Sequence, residues 1–471
     1  MLPVVEFSAL VERYVPYYED VFSAEALIQF KRYISGLLVS ENKTVDGINN
    51  LLLVESRNQS SLNRLLTASP FSLEALNEAR LCMLQSVAGT RLKKTGVLGV
   101  DDTILAHYGQ AFEQIAKLYD PVTKSYVWAH DLVTLHYSDD RTDYPLLFQL
   151  WQPVNLEKLE QGLRAAEVAI QSKKESLKET APHKWRAYLI GVWERRQRAH
   201  GDVGDLYHSK LTIAQMLIEQ WVKSHPGLNL PVAFDSWYTQ PCLCRYLAET
   251  LHLSYVGALA PDDKVILVDK QKTLAEFVAQ LKQEHLLAVK NGSRPVFKQI
   301  TISYRGASET YYSYSRVHHI HRFGKQRLVI NFRRADLTDD PVFLISNRLM
   351  WQAPGITRIY RLRWPVETYH QEGKAEGLDK YQLRDFSAIQ RHVAFVAVVY
   401  SLLRTAQQDP DLHQQIQRQL HVLVEGGPPS WRRVANAYAL WYLALFISAG
   451  LAQDRVLQDI MAPLIEAVCK G

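Results

Sequence analysis

Cysteine is scarce in this chain: four in 471 residues, Cys82, Cys242, Cys244 and Cys469. They are too few and too scattered for a disulfide framework, and the single residue between Cys242 and Cys244 is the wrong spacing for a zinc knuckle. The expected setting is reducing and intracellular. A basic leader is missing as well. "MLPVVEFSALVERYVPYYED" carries early acids and no basic n-region, so no secretory signal is expected. Long apolar runs are nearly absent. The exception, residues 434–452 ("VANAYALWYLALFISAGLA"), reaches about 19 residues, the lower edge of the spanning range. Asn436, Tyr438, Tyr442 and Ser448 interrupt it. It reads as a buried C-terminal or subunit-contact helix, so no membrane association is expected. No internal repeat is visible.

Acid is what residues 290–334 lack. Ten Lys/Arg face Glu309 alone, a net +9 in a chain of +5, which leaves −4 for the remainder. The same window alternates and is rich in β-branched and aromatic residues in "KQITISYRG", "ETYYSYSRVHHI" and "KQRLVINFRR", so three strands are expected. A basic, aromatic sheet surface suits a phosphate backbone. The "HHIH" at 318–321 has no carboxylate or cysteine partner and reads as phosphate contact or plain surface.

Residues 1–92 read as helical. "SAEALIQFKRYISGLLV" and "SLEALNEARLCMLQSVAG" have helical spacing behind serine caps. Between them, two short helices flank "ESRNQSS", with Ser60 or Ser61 as the second cap. That arrangement is similar to a helix-turn-helix, although charge up to Lys94 is balanced at ten basic and ten acidic residues.

Beyond residue 93 the pattern changes. "GVLGV" is a short apolar run entering Asp101 and Asp102, and "LPVAF" is another ending on Asp235. Strands are also expected in "KSYVWAHDLVTLHYSD", "YPLLFQLWQP", "LSYVGALA" and "PVFLISN", with helices at about 156–178 and 209–224 on either side of the basic cluster "ERRQR". Turns or linkers mark residues 410–430. Glu367 lies in a late helical stretch, "YRLRWPVETYHQEGK". Carboxylates delivered by two strand ends and a helix can hold two divalent ions for in-line displacement at a phosphodiester, and Mg2+ suits such hard oxygen ligands. Adjacent strand residues point to opposite faces, so Asp101 and Asp102 cannot both face one ion. Positions seven apart on a helix lie about 20° from each other, which would place Tyr360, Glu367 and Lys374 on one stripe beside Arg363. Pro365 belongs in a first helical turn, which would confine that stripe to Glu367 onward.

Tyr360, Arg363, Glu367 and Lys374 meet every spacing of the Tyr-x2-Arg-x3-Glu-x6-Lys signature. With Trp364, His370, "DDT" at 101–103 and "FDSW" at 234–237, the chain resembles the bacterial insertion-sequence DDE transposases that carry this signature. The resemblance implies an α/β fold: a ribonuclease H-like catalytic core interrupted by a β-rich insertion, with helical N-terminal and C-terminal regions. The implied division is a helical DNA-binding domain at 1–92, core at 93–259, insertion at 260–340, core again at 341–405 and a helical region at 406–471. It implies Asp102 (favoured over Asp101 because the ligand directly precedes Thr103), Asp235 and Glu367 as catalytic metal ligands for two Mg2+ ions, with Mn2+ able to substitute. Tyr360, Arg363 and Lys374 would bind DNA phosphates, and Trp364, His370, Arg316, Arg322, Lys325 and Arg327 are candidate DNA contacts. Cut-and-paste transposition is implied: hydrolysis frees a 3′-OH, which forms a hairpin end, and strand transfer follows. Tyr304, Tyr311, Tyr312, Tyr314 and Trp351 are candidates to stack a flipped base. Expected partners are double-stranded terminal inverted repeats, target DNA and a second copy as a homodimer on DNA. The expected location is the bacterial cytoplasm, nucleoid-associated when bound to DNA.

Overall fold

The structure is a computed structural model that describes residues 4, 7–52, 54, 55, 57–268, 270–412, 414 and 447. The 434–452 run apart from residue 447, Cys469 and almost all of the expected C-terminal helical region lie outside the described residues.

Five helices open the chain: α1 (Ala9–Tyr14), α2 (Ala24–Val39), α3 (Val45–Leu51), α4 (Gln59–Thr67) and α5 (Leu73–Ser86). Each begins where a short polar side chain accepts from a first-turn N–H: Ser8, Ser23, Thr44, Asn58 and Ser72. The cap of α4 is therefore Asn58, not Ser60 or Ser61. Its side-chain oxygen accepts from the Ser60 N–H at 2.9 Å, which makes Ser60 the second helical residue. Helices α3 and α4 are the pair expected as a helix-turn-helix. In α4, Leu62, Leu65 and Leu66 are buried inward while Asn63 and Arg64 stay exposed.

The sheet that follows is built around β1 (Val97–His107). After β2 (Ala116–Asp120), β3 (Ser125–Ser138) runs antiparallel to β1 along its full length, from Val97↔Ser138 to His107↔Trp128. On the far edge of β3, β2 and β4 (Asp143–Trp151) pair end to end. A helical crossover comes next: α6 (Leu156–Ala165), α7 (Leu177–Thr180), α8 (Pro182–His200) and α9 (Lys210–Ser224). Residues of α6 and α8 close a small core of their own around Leu159, Leu163, Trp185, Leu189 and Trp193. The "ERRQR" cluster lies between α6 and α9 as expected, but within a helix of its own, α8.

Strand β5 (Val232–Phe234) returns parallel to β1, and after α10 (Pro241–Arg245) and a π-turn, β6 (Tyr255–Leu259) lies parallel to β5. The order β4-β3-β1-β5-β6 is an antiparallel meander continued by two parallel strands, as expected of a ribonuclease H-like core. Parallel neighbours need long crossovers, which the helices supply.

The basic segment does not leave this sheet. Short β7 (Lys264–Ile266) and β8 (Gln271–Thr273) precede α11 (Leu274–Lys290), and then come β9 (Lys298–Tyr304), β10 (Ala307–Ile320) and β11 (Gly324–Phe332). The last three match the three expected strands. Strand β12 (Val342–Ser346) pairs antiparallel with β6 on one side and β11 on the other, joining everything into one twelve-stranded sheet. Helix α11, a 17-residue element opened by a Thr273–Glu276 capping box, makes the segment more than β-rich. Ion pairs fasten it to the core. Arg305 reaches the buried Asp143 at 2.5 Å, and Arg404 holds the same carboxylate at 3.2 Å.

Helices α12 (Ala353–Arg361) and α13 (Pro365–Ala375) lead into α14 (Phe386–Gln408). Among the described residues α14 is the one helix long and apolar enough to cross a membrane. Here it is a core helix. Phe395 packs on Phe30 and Phe71 with ring centroids 5.4 and 5.7 Å apart, and Phe22 lies 4.7 Å from Phe30. The first five helices thus share their apolar interior with α14. Phe395→Ala is expected to cost about 3–5 kcal/mol and to leave a single unfolding transition in urea. A separate early transition of the N-terminal helices would contradict this shared core.

Candidate active site

Strand alternation decides what each aspartate of the "DDT" segment meets. In the β1–β3 pairing Asp101 lies opposite Thr134, and Thr134 accepts from or donates to His370 of α13 at 3.1 Å. Asp101 therefore faces α13. Asp102 faces the other side of the sheet, where Lys210 at the start of α9 lies 2.8 Å away. Of the two candidates, Asp101 and not the favoured Asp102 is the aspartate on the face of Glu367.

The turn between α12 and α13 sits directly on β1. A Cβ on Gly99 would already touch the Arg363 backbone, with its carbonyl oxygen 3.5 Å away. From this turn the Arg363 guanidinium reaches the Asp101 carboxylate at 2.8 Å and Glu367 at 2.5 Å. Arg363 is only 4% exposed. Burial works against its charge, but Tyr360, Asp101 and Glu367 more than compensate and raise its pKa. Its guanidinium carbon lies 5.3 Å from the Tyr360 ring centroid.

Asp235 enters from β5. Val100 pairs with Phe234, so Asp235 comes level with Asp101 across the two strands. Its Oδ1 accepts from the Tyr238 N–H at 3.0 Å, and its carbonyl accepts from the Thr239 N–H at 3.0 Å. This turn needs Gly257 beneath it, since a Cβ there would meet Thr239 Oγ1 at 2.6 Å and Phe234 at 2.8 Å.

Burial pushes the Asp101 carboxyl up to about 7; Arg363 opposes this, while Asp235, Asp102 and Glu367 add to it. Three acids from β1, β5 and α13 thus act on one another, with a single buried guanidinium between two of them. Among the described residues no three His, Cys, Asp or Glu side chains lie close enough to hold a metal ion as they stand. The donor chemistry nevertheless fits a hard divalent cation: three carboxylates and an under-compensated negative charge, with the Arg363 guanidinium lying between Asp101 and Glu367.

The remaining candidates divide. Pro365 is the first residue of α13, Tyr360 lies in the last turn of α12, and Arg363 lies in the turn between. The single stripe therefore runs only from Glu367 to Lys374. Lys374 is half-buried in the last turn, where burial lowers its pKa and Asp379 and Asp120 oppose that. Trp364 is 50% exposed next to the site. His370 is buried against Thr134, so it is a packing residue here and no free DNA contact. Arg327 is likewise occupied: both its Nε, at 2.8 Å, and its Nη2 donate to the Leu349 carbonyl. Arg316 and Lys325 are exposed, and Arg322 is exposed beside Asp263 at 3.6 Å. Of the stacking candidates, Tyr311 and Tyr314 are buried, bonded to Glu309 and His318. Tyr304 lies under Arg361 at 4.1 Å, whereas Tyr312 and Trp351 are half-buried. Sequence reasoning missed Lys210, Asp131 and Tyr238, which surround Asp102; "FDSWY" held the only signal for Tyr238.

An α/β core that converges three acids from two adjacent parallel strands and a helix is the architecture of a polynucleotidyl-transfer enzyme. The DDE superfamily endonuclease family matches residues 17–275, and the transposase DDE domain matches residues 215–402. The chain belongs to the DDE superfamily endonuclease family and is a DDE transposase; DDE domains generally use divalent metal ions. Among solved structures it is similar to a piggyBac transposase, seen by cryo-EM as a synaptic complex with hairpin DNA, at 10% identity and a TM-score of 0.40, covering 98% of this chain and 81% of that one. No curated protein sequence matches.

The raised Asp101 pKa has a definite sign. Between the ordinary value of 3.8 and about 7, the folded chain keeps a proton that the unfolded chain releases. Its contribution to stability therefore falls as pH rises through that window and is least favourable above it. With EDTA present, the Tm of Asp101→Asn minus that of the native chain should shift in the variant's favour between pH 5 and pH 8. A variant losing more stability at pH 8 would contradict the assignment.

Proposed function

We propose that this chain is an insertion-sequence transposase of the Tyr-x2-Arg-x3-Glu-x6-Lys group, excising its element by cut-and-paste chemistry. Supporting this reading most directly is the placement of Asp101 and Glu367 on either side of the buried Arg363, with Asp235 level with Asp101 at the end of the neighbouring parallel strand. Asp101, Asp235 and Glu367 are the residues that would hold two Mg2+ ions, or Mn2+ in their place. Bound there, such ions supply Lewis-acid polarisation of the scissile phosphate and an activated water.

The chain's own residues have separable tasks. Arg363, with Tyr360 stacked on it, exchanges its carboxylate partners for a phosphate beside the scissile bond. Lys374 lies about 10 Å further along α13 and takes a neighbouring phosphate. The exposed Arg316, Arg322 and Lys325 extend a cationic path along β10, the β10–β11 turn and the start of β11. In the first step water attacks phosphorus and the bond to the 3′ oxygen breaks. The freed 3′-OH then attacks the opposite strand to give a hairpin end, for which the half-buried Tyr312 and Trp351 are stacking candidates. The partners are double-stranded terminal repeats and target DNA, with a second copy completing a homodimer, in the cytoplasm at the nucleoid.

The test is cleavage of a duplex carrying the element's own end and flank, with Mg2+, resolved on denaturing gels. Glu367→Gln and Asp101→Asn should abolish cleavage while retaining end binding. Loss of binding together with cleavage in a folded variant would count against the assignment, and cleavage without hairpin or transfer products would reduce it to a nuclease. Lys374→Ala should lower the slope of log K against log salt by about 0.9, one phosphate contact; an unchanged slope removes Lys374 from the phosphate contacts.

A further inference from the structure

Behind the site, on the opposite face of β1, lies a second polar cluster that the proposed chemistry does not use. Lys210 Nζ donates to Asp102 Oδ2 at 2.8 Å and to Asp131 Oδ2 at 3.0 Å. Asp102 Oδ1 accepts from the Tyr238 hydroxyl at 2.8 Å, and Tyr238 is fully buried. The same tyrosine donates its backbone N–H to Asp235 Oδ1 at 3.0 Å. The Lys210 ammonium also lies 4.6 Å from the ring centroid of Trp237, which is partly exposed between these partners. A continuous path therefore runs from the start of α9 through Asp102 and Tyr238 to one carboxylate oxygen of Asp235.

Asp102 projects from the centre of the sheet, where pairing with β3 fixes its backbone on one side. Tyr238 can place its hydroxyl on Asp102 only if the turn after β5 is tight, and that turn is the one closed by the Thr239 bonds to the Asp235 carbonyl. An Asp235 oxygen that accepts from a fixed N–H cannot rotate freely, which leaves its second oxygen aimed. Partners of this kind orient a metal-ligating carboxylate, and their removal typically weakens metal affinity about 10–100-fold.

We propose that Asp102 is a positioning residue: through Tyr238, and with Lys210 holding its charge, it fixes the orientation of the Asp235 carboxylate for divalent-metal binding. The paired aspartates of the "DDT" segment thus have different tasks on the two faces of one strand. The inference rests on the reading that Asp235 is a metal ligand.

The test is Mn2+ binding to the full chain, followed by the loss of the free-ion electron paramagnetic resonance signal, in the native protein and in Tyr238→Phe, Asp102→Asn, the double variant and Asp235→Asn. Tyr238→Phe removes one hydroxyl and keeps the ring, so it tests the path even if Asp102→Asn fails to fold. The expected result is Mn2+ affinity lowered about 10–100-fold in Tyr238→Phe, with the double variant no weaker than the weaker single, because both cut one path. Cleavage by Tyr238→Phe should recover as Mn2+ is raised. Native Mn2+ affinity in folded Tyr238→Phe overturns the proposal, showing the cluster to be structural only. Native affinity in Asp235→Asn instead removes Asp235 from the ligand set and overturns the underlying reading. Additive losses in the double variant overturn the shared path.

Discussion

A buried guanidinium organises this molecule. Arg363 lies beneath the surface, and a charge in that position is tolerated only with well-placed opposite charges around it. Asp101 and Glu367 supply them from different elements. The requirement works in both directions: the acids fix where the α12–α13 turn sits, and the turn fixes which acid of β1 faces α13. Gly99 allows the turn to lie flat on the strand. Arg363 also presents several donors in one plane, the geometry that suits either a carboxylate pair or a phosphate. On the proposed reading, the side chain that holds the acidic site together before DNA arrives is also the one that takes a phosphate afterwards.

The basic segment is tied into the same arrangement more closely than its charge suggests. Arg305 is neutralised by Asp143 inside the core, Arg333 lies near Glu309, and Arg327 is spent on a backbone carbonyl. Glu309, the single acid of that window, pairs with Arg361 at 3.1 Å on the helix that leads into the site. Arg358 of the same helix pairs with Asp140 at 2.6 Å. Part of the +9 is therefore internal cement joining the insertion, α12 and the core sheet. The part that remains exposed, including Arg316 and Lys325, is a narrower surface than the count of charges implied.

Much of this was legible in the sequence, and the failures have physical causes. The strand runs at 298–304, 307–320 and 324–332 showed through alternation and β-branched content, and the capped helices through their serine starts. The signature spacing identified Tyr360, Arg363 and Glu367, which do gather at one place. What a spacing cannot supply is parity: only the β1–β3 register shows that Asp101 and not Asp102 points toward α13. Nor does a residue type reveal its partner. The resemblance offers His370 as a contact and the basic window offers Arg327, and each is satisfied internally by an atom distant in sequence. The α11 helix and the α6–α8 core were hidden by charged residues on their solvent faces. The Asp102–Tyr238–Asp235 path joins residues up to 136 apart, a separation at which no local pattern survives.

The central claim is that Asp101, Asp235 and Glu367 form one divalent-ion site. It is tested most directly by loading the intact chain with Fe2+ and ascorbate and mapping local oxidative cleavage by mass spectrometry. The account predicts cuts confined to the three segments around residues 101, 235 and 367, all suppressed together by excess Mg2+. Cuts at one segment only, or cuts that Mg2+ leaves unchanged, would contradict a shared site.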